Sequence, residues 1–507
     1  MVRTKIPFYE VNFFSQLVND YLSDEPALST FYNRSNKLEN YQSQIIEKQQ
    51  HPVDRELLVK VLKEQNKSVP LSEFSLTNIN LLLSPNSFTI TTGHQLCLFS
   101  GPLYVIYKII STIKLAKTLR ASYPKYHFVP VFWLASEDHD FDEINHINIF
   151  GRRIEWKTNQ TGPVGKMALS EVPKLLKELK ELMGEGGNAE RLMTMFESAY
   201  KRDSLAQASR FLVNELFKEY GLLIIDGDDP LLKSTFVEVM KKDIIDHAFY
   251  PLFKKQSDLL SKHYHAQAHF RKVNFFELTN QQRKRLTEPI SESLIYNEPG
   301  RFSPNVLMRP LYQEKILPNL AYIGGGAEVA YWMQLKTAFE TEKIPFPILV
   351  LRPSALLIRP NQLKKLNQLG LSSVDLFQSE STLHKSYVYK QSELDIENES
   401  VALIQLFDGL KQRFNTTAQR PIIDAEYQRQ SKALEKLHKK LIKIEKQNHQ
   451  TALTHITKLK SQLFPNGNLQ ERHDSFIPYF MNYGDNFMKI LNEELNPLDS
   501  NFVVLSL

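Results

Sequence analysis

Apolar and polar positions fall in blocks along this chain, and the blocks alternate in type. A β-prone run, Phe88-Thr89-Ile90-Thr91, ends at a polar corner, Thr92-Gly93-His94-Gln95. A turn at Ser100-Gly101-Pro102 follows. Then Leu103, Ile106, Tyr107, Ile110, Ile113, Leu115 and Ala116 recur at helical spacing. They cover more than one stripe, which predicts a helix buried against a sheet. Next comes a near-continuous apolar run, Phe128-Val129-Pro130-Val131-Phe132-Trp133-Leu134-Ala135. Such runs mark parallel strands covered on both faces. A third run, Leu222-Leu223-Ile224-Ile225, ends at Asp226. A fourth, Leu320-Ala321-Tyr322-Ile323, enters Gly324-Gly325-Gly326-Ala327-Glu328 and a helix with Val329, Tyr331 and Trp332. Pro347-Ile348-Leu349-Val350-Leu351 gives one more strand. Strands alternating with helices predict an α/β core around a parallel sheet. Ligands of such sheets bind at the carboxyl ends of the strands, and here those ends carry the polar clusters.

The same patterning divides the chain. Residues 1–86 read as a helical lead-in packed on the core, with Phe13, Leu17, Tyr21, Leu57, Leu58, Val61 and Leu62 at helical spacing. The core is expected over 87–393, with insertions near 144–215 and 265–305, a long helix near 231–260, and an irregular second insertion. Residues 394–466 change character. Leu434, Leu437, Leu441 and Ile444 fall on a heptad seam, and apolar residues resume at Ala452, Ile456, Leu459 and Leu463, shifted by four. That pattern predicts a helical hairpin or coiled coil with a stutter, built from helices near 394–415 and 426–463. Residues 467–507 are expected to pack back on the core and to end in a strand at Phe502-Val503-Val504-Leu505.

Composition narrows the function classes. The chain has 507 residues, 42% hydrophobic and 23% charged, as in ordinary globular proteins. A net charge of +5 is small for this length and gives no footprint for nucleic acid. The lone cysteine, Cys97, excludes an intrachain disulfide. With no apolar stretch long enough for a membrane span and no secretory leader pattern, a cytoplasmic, soluble protein without a membrane partner is expected.

Candidate chemistry sits at the strand ends, each cluster with a bland competitor. The corner Thr92, Gly93, His94 and Gln95 precedes a helix start, where free N–H groups hold anions. His94 and Gln95 could donate to a developing oxyanion; a turn histidine bonded to backbone is the alternative. Glu137, Asp138 and His139 could serve as general base or orient an amine, against helix capping. No zinc spacing is present. Asp226 could contact a ribose or metal, or could form an Asx turn. Gly324, Gly325 and Gly326 could let backbone approach a phosphate or carboxylate, or form a tight turn. Arg309 and Arg352 could clamp a carboxylate or make structural ion pairs. Tyr331 and Trp332 are stacking candidates in competition with a core role. Apolar neighbours mark Cys97 as structural.

Five ordered blocks carry a family resemblance: TTGHQLCLFSGPLYVIYKIIS, VPVFWLASEDHDFDEINH, GLLIIDGDDP, LMRPLYQEKILPNLAYIGGGAEVAYW and LQERHDSF. Together they resemble the BshC family, the cysteine-adding enzymes of bacillithiol biosynthesis. The family often has Gln where this chain has His94, and often Pro within the run 324–326. The resemblance implies a Rossmann-like, nucleotidylyltransferase-like core with inserted connecting segments. It implies a coiled coil that pairs subunits into a homodimer. It implies a ligase joining L-cysteine to glucosaminyl-malate. Forming that amide from a free carboxylate needs activation, and a phosphate-friendly strand-end site suits ATP or another nucleotide. Two other readings fit the same clusters: a non-catalytic nucleotide-binding or assembly protein of the pathway, and a metal-dependent hydrolase using residues 137–142.

Overall fold

The structure, a computed structural model, describes residues 2–279, 281–287, 289–392 and 396–507. The chain forms two compact units: Lys5–Ala355 with Gln470–Val503, and Met1–Thr4 with Leu356–Leu469 and Val504–Leu507.

The larger unit is built on five strands: β1 (Ser87–His94), β2 (His127–Leu134), β3 (Leu223–Asp226), β7 (Asn319–Gly324) and β8 (Ile348–Leu351). Their order is β8-β7-β1-β2-β3, all parallel. The chain starts at the central β1, builds outward through β2 to β3, then returns to the other side for β7 and β8. The connection reverses direction between β1 and β7, which makes their carboxyl ends a topological switch point. The apolar runs are buried throughout. Phe88, Ile90, Phe128, Leu320, Ile323, Ile348 and Val350 form one core with Leu115 and Leu119 of helix α1 (Leu103–Ser122) and with Tyr41 and Ile45 of the lead-in.

Two segments differ from their sequence reading. The region 231–260 is three helices, Pro230–Ser234 (α2), Val237–Ile244 and Phe249–Leu260, with His247 at φ 53° in the second break. The second insertion holds a small antiparallel sheet, β5-β4-β6, of Phe275–Leu278 (β4), Arg283–Arg285 (β5) and Phe302–Pro304 (β6). After it, the apolar residues 306–308 lead into helix α3 (Met308–Ile316), and the glycine run opens helix α4 (Gly326–Trp332).

The second unit is mostly helical. It takes in residues from Leu356 onward, earlier than the change in composition at 394. Helices α5 (Glu380–Gln391), α6 (Glu397–Arg413), α7 (Arg420–Asn448) and α8 (Gln450–Leu463) follow in order. The long helix expected over 426–463 is interrupted at His449, within the shift of the heptad seam between Ile444 and Ala452. Leu453, Ile456, Leu459 and Leu463 are buried on α8, as are Leu383 and Val388 on α5. Thr457 donates to Glu380 Oε1 at 2.7 Å, tying α8 to α5. Among the described residues, no helix is long and apolar enough to cross a membrane.

Candidate active site

The switch point opens into a cavity of about 980 Å³, walled by the ends of β1, β2 and β7, by α3, and by the insertion sheet. One buried lysine joins two of its lining residues, Gly93 and Glu328. Lys108, the one cation in the first eight residues of α1, extends to Gly93 O at 2.5 Å and to Glu328 Oε2 at 2.8 Å. Glu328 also accepts from Gly325 N at 2.8 Å and from Tyr322 OH at 2.6 Å. Burial pushes the Glu328 carboxyl up, but Lys108 and these donors outweigh it and bring it to about 2. The β1 corner and the glycine turn are therefore locked together across the crevice by one Lys–Glu pair.

His94 lines the cavity, with Nε2 3.1 Å from Tyr104 OH and 3.5 Å from Cys97 Sγ. Burial first, then the Lys108 charge, lower its imidazole to about 3. It is neutral, and its Nε2 shares a hydrogen bond with the Tyr104 hydroxyl. Burial pushes the Cys97 thiol up to about 12, so Cys97 is no thiolate nucleophile. Gln95 donates to Asp138 Oδ2 at 2.7 Å. Asp138 also faces Arg283 at 3.5 Å. Burial raises its carboxyl, while Gln95 and Arg283 overcome that and hold it below the usual range. Asp138 is thus an ionised, oriented carboxylate on the cavity wall.

Several candidates are spent elsewhere. Glu137 reaches the cavity wall, but it pairs with fully buried Lys233 of α2 at 2.7 Å, and Lys233 pairs equally closely with Asp228. Burial raises the Glu137 carboxyl, and the two carboxylates keep Lys233 protonated. His139 is exposed outside the cavity, its ring 5.7 Å from that of Phe276. Asp226 accepts from Ser136 Oγ and from Asp228 N, the Asx-type turn, and does not reach the cavity. Thr92 Oγ1 donates to Ile323 O at 2.7 Å, a strand-to-strand bond behind the site. Gly324 O accepts from Arg352 N at 2.8 Å inside the sheet. Trp332 is a core residue, stacked at 4.6 Å on Tyr322 and packed against Phe339 and Phe346. The anion site expected at the start of α1 is closed: Leu103 N bonds Asp474 O at 2.8 Å.

The remaining candidates converge. Gly93, Gly325 and Gly326 present backbone to the cavity, and Tyr331 lines it. A Cβ on Gly93 would approach Trp133 Cβ to 3.2 Å, so a side chain at this strand end would have to push Trp133 back by a few tenths of an ångström. Arg309 bonds Gln313 at 2.9 Å and lies over Tyr322 and Trp133, and among the described residues no carboxylate stands within ion-pair distance of it. Arg352 pairs with buried Glu471 at 2.7 Å. The neighbouring Arg472 lines the cavity, so the stretch after the helical unit returns to complete the site.

Sequence reasoning did not assign Lys108, Glu328, Lys233, Arg472 or the insertion arginines. Lys108 did leave a signal, as the one cation among the apolar positions 103–110. Among the described residues, no group of three His, Cys, Asp or Glu side chains could hold a metal ion.

Known proteins match over the whole chain. Residues 1–353 match the family model described as "Bacillithiol biosynthesis BshC, N-terminal Rossmann-like domain". Residues 355–507 match "Bacillithiol biosynthesis BshC, C-terminal coiled-coil domain". A relative from Flavobacterium johnsoniae is 40% identical over 99% of both chains. One from Christiangramia forsetii is 38% identical over 99% of this chain and 98% of its own. One from Cytophaga hutchinsonii is 33% identical over 98% and 97%. All three carry the name "Putative cysteine ligase BshC". With both domain models matched in order, and the Rossmann-like sheet holding its polar crevice at the switch point, the chain belongs to the BshC family of bacillithiol biosynthesis.

Proposed function

We propose that this protein joins L-cysteine to glucosaminyl-malate through an amide bond, the last step of bacillithiol formation, with ATP or another nucleotide activating the cysteine carboxylate. The carboxylate oxygen would leave with a phosphoryl or adenylyl group, because hydroxide is too poor a leaving group for an amine to displace. The observation that carries the reading is Asp138. It is the ionised carboxylate at the strand ends that reaches the cavity without being neutralised by a buried lysine, and Gln95 and Arg283 fix its direction. In this reading Asp138 receives the sugar amine, and Gln95 holds both Asp138 and the approaching acyl group. Glu137 and His139 take no direct part, for the reasons of pairing and placement given above. Arg309, Arg352 and the backbone of Gly325 and Gly326 take the malate carboxylates. His94 acts as a neutral positioning group.

The protein would work in the cytoplasm as a homodimer. The dimer is supported by α7, which has 29 residues and none buried.

The test is reconstitution. Purified protein with L-cysteine, glucosaminyl-malate and ATP is expected to yield a new thiol whose mass is the sum of the two substrates less water. Asp138→Asn should lower kcat about 100-fold or more, the usual range for a lost acid–base group, with KM little changed. No thiol product from the wild type with any nucleotide, together with an unchanged thiol pool in cells lacking the gene, would overturn the reading.

A further inference from the structure

The insertion sheet and the segment that enters it present an arginine pair, Arg271 and Arg285, that none of these roles uses. Residues alternate faces along a strand, so Arg283 and Arg285 of β5 share one face and Lys284 takes the other. Opposite Arg285 in the antiparallel register stands Phe276 of β4. Its ring lies under both guanidinium groups, 4.2 Å from Arg283 and 4.8 Å from Arg285. Both arginines line the cavity, together with Arg271 and His269 from the segment that enters the sheet.

Their charges are not in the same condition. Arg283 is committed. It faces Asp138 at 3.5 Å, donates to Ser303 Oγ at 3.1 Å and donates to Pro304 O at 2.9 Å. Arg271 and Arg285 have no carboxylate and no side-chain hydrogen bond among the described residues. Burial, and then the charge of Arg271, lower the Arg285 guanidinium from its ordinary value, so the two cations feel each other. Two like charges held at one cavity wall destabilise each other unless an anion joins them.

We propose that Arg271 and Arg285, with His269 beside them, form a polyphosphate subsite that takes the phosphate chain of the activating co-substrate. The proposal rests on the ligase reading for the identity of that co-substrate, but not for the subsite itself. Two guanidinium forks carry ten N–H donors and a charge of about +2 between them. A single carboxylate fills one fork. Adjacent phosphates supply enough oxygens and charge for both, and bidentate phosphate contacts are what arginine forks favour. Malate is provided for separately, by Arg309 and the glycine turn. The cavity then holds a phosphate end on the insertion wall and a carboxylate end at the switch point, with Asp138 among its lining residues.

The experiment measures inorganic pyrophosphate and L-malate binding by calorimetry on the full chain, and steady-state kinetics for ATP and glucosaminyl-malate. It compares wild type, the double variant R271A/R285A, and K284A, which removes one positive charge from the far face of β5. Arg271 is exposed and Arg285 half-buried, so the fold should survive, which thermal melting checks. The expected result is a tenfold or greater loss of pyrophosphate affinity and a matching rise in the KM for ATP in R271A/R285A. The KM for glucosaminyl-malate and the behaviour of K284A should stay unchanged. Unaltered pyrophosphate binding and ATP KM in the double variant would overturn the subsite and leave the ligase reading standing. A loss confined to malate and glucosaminyl-malate would also overturn it, making the wall a carboxylate site. If no nucleotide supports amide formation but wild type binds pyrophosphate and the double variant does not, the subsite stands and the ligase reading fails.

Discussion

Lys108 shows how one side chain can set both stability and site geometry. Its Nζ is buried with the side chain 1% exposed, and its carboxylate partner, Glu328, is 25% exposed. Removing one member of such a pair leaves an uncompensated buried charge. We expect Glu328→Gln to destabilise the larger unit by about 2–3 kcal/mol at pH 7, at or just below the lower edge of the range for fully buried pairs because Glu328 is partly solvated. The sign with pH follows from the shift. Burial raises the Glu328 carboxyl, but Lys108 and the Gly325 N–H bring it down to about 2, below its ordinary 4.5. A depressed carboxylate contributes stability that is complete above its unfolded value and is lost as pH falls through the folded one. The gap between wild type and Glu328→Gln should therefore be full at pH 7 and shrink from about pH 4.5 toward pH 2. Urea unfolding of both proteins at pH 7 and pH 3 checks this; a gap that grows on acidification would contradict it. The sequence carried half of this story. A lysine among apolar helical positions was visible, but its partner lies 220 residues away, and periodicity does not report pairs at that separation.

At the scale of elements, the connector between β1 and α1 does what its sequence hinted, by a harsher route. Phe99, Ser100 and Gly101 have φ of 49°, 69° and 66° in succession. Gly101 has ψ of −153°, a region essentially confined to glycine. A Cβ there would lie 2.5 Å from Cys97 Cβ. Gly151 is a useful contrast: φ is 76° in a hairpin turn, and nothing stands within 4 Å of its would-be Cβ. Gly101→Ala should cost about 3 kcal/mol or more, combining backbone strain with the clash, whereas Gly151→Ala should cost about 1 kcal/mol. Thermal melts of the two variants test the ranking, and equal losses would refute it. The Ser100-Gly101-Pro102 turn was legible because turn chemistry is local. The strands were legible because both faces are covered and their runs are nearly all apolar. The open helix start was a misreading because Asp474, which closes it, comes from the far end of the chain. The insertion sheet was missed for a different reason: Arg283-Lys284-Arg285 is a strand of three cations with no apolar period to find. Trp332 could have stacked on a ligand or on the core, and only the arrangement of Tyr322, Phe339 and Phe346 around it decides for the core.

For the whole molecule, the open question is what covers α7. At 1.5 Å per residue this helix is about 44 Å long. It touches α6, where Tyr427 meets Phe407 at 5.5 Å, yet it buries no residue completely. Leu437 and Ile444, half of the heptad seam, are 52% and 54% exposed, and Ile422 is 70% exposed. Most stability of a helix in a protein comes from burying an apolar face, so a helix this long with an uncovered seam is expected to find a second copy of itself. Leu437→Glu with Ile444→Glu should convert a dimer to a monomer in sedimentation analysis, without loss of helical circular dichroism. The wild-type melting temperature should rise with protein concentration and that of the variant should not, because association stabilises by mass action. Every residue lining the cavity belongs to the unit formed by Lys5–Ala355 and Gln470–Val503. The monomeric variant should therefore keep kcat within a few-fold of wild type. A wild-type chain that sediments as a monomer at every concentration tested would remove the dimer from the proposal. A dimeric wild type whose variant loses kcat as well as association would instead place a requirement for the second subunit in the chemistry itself.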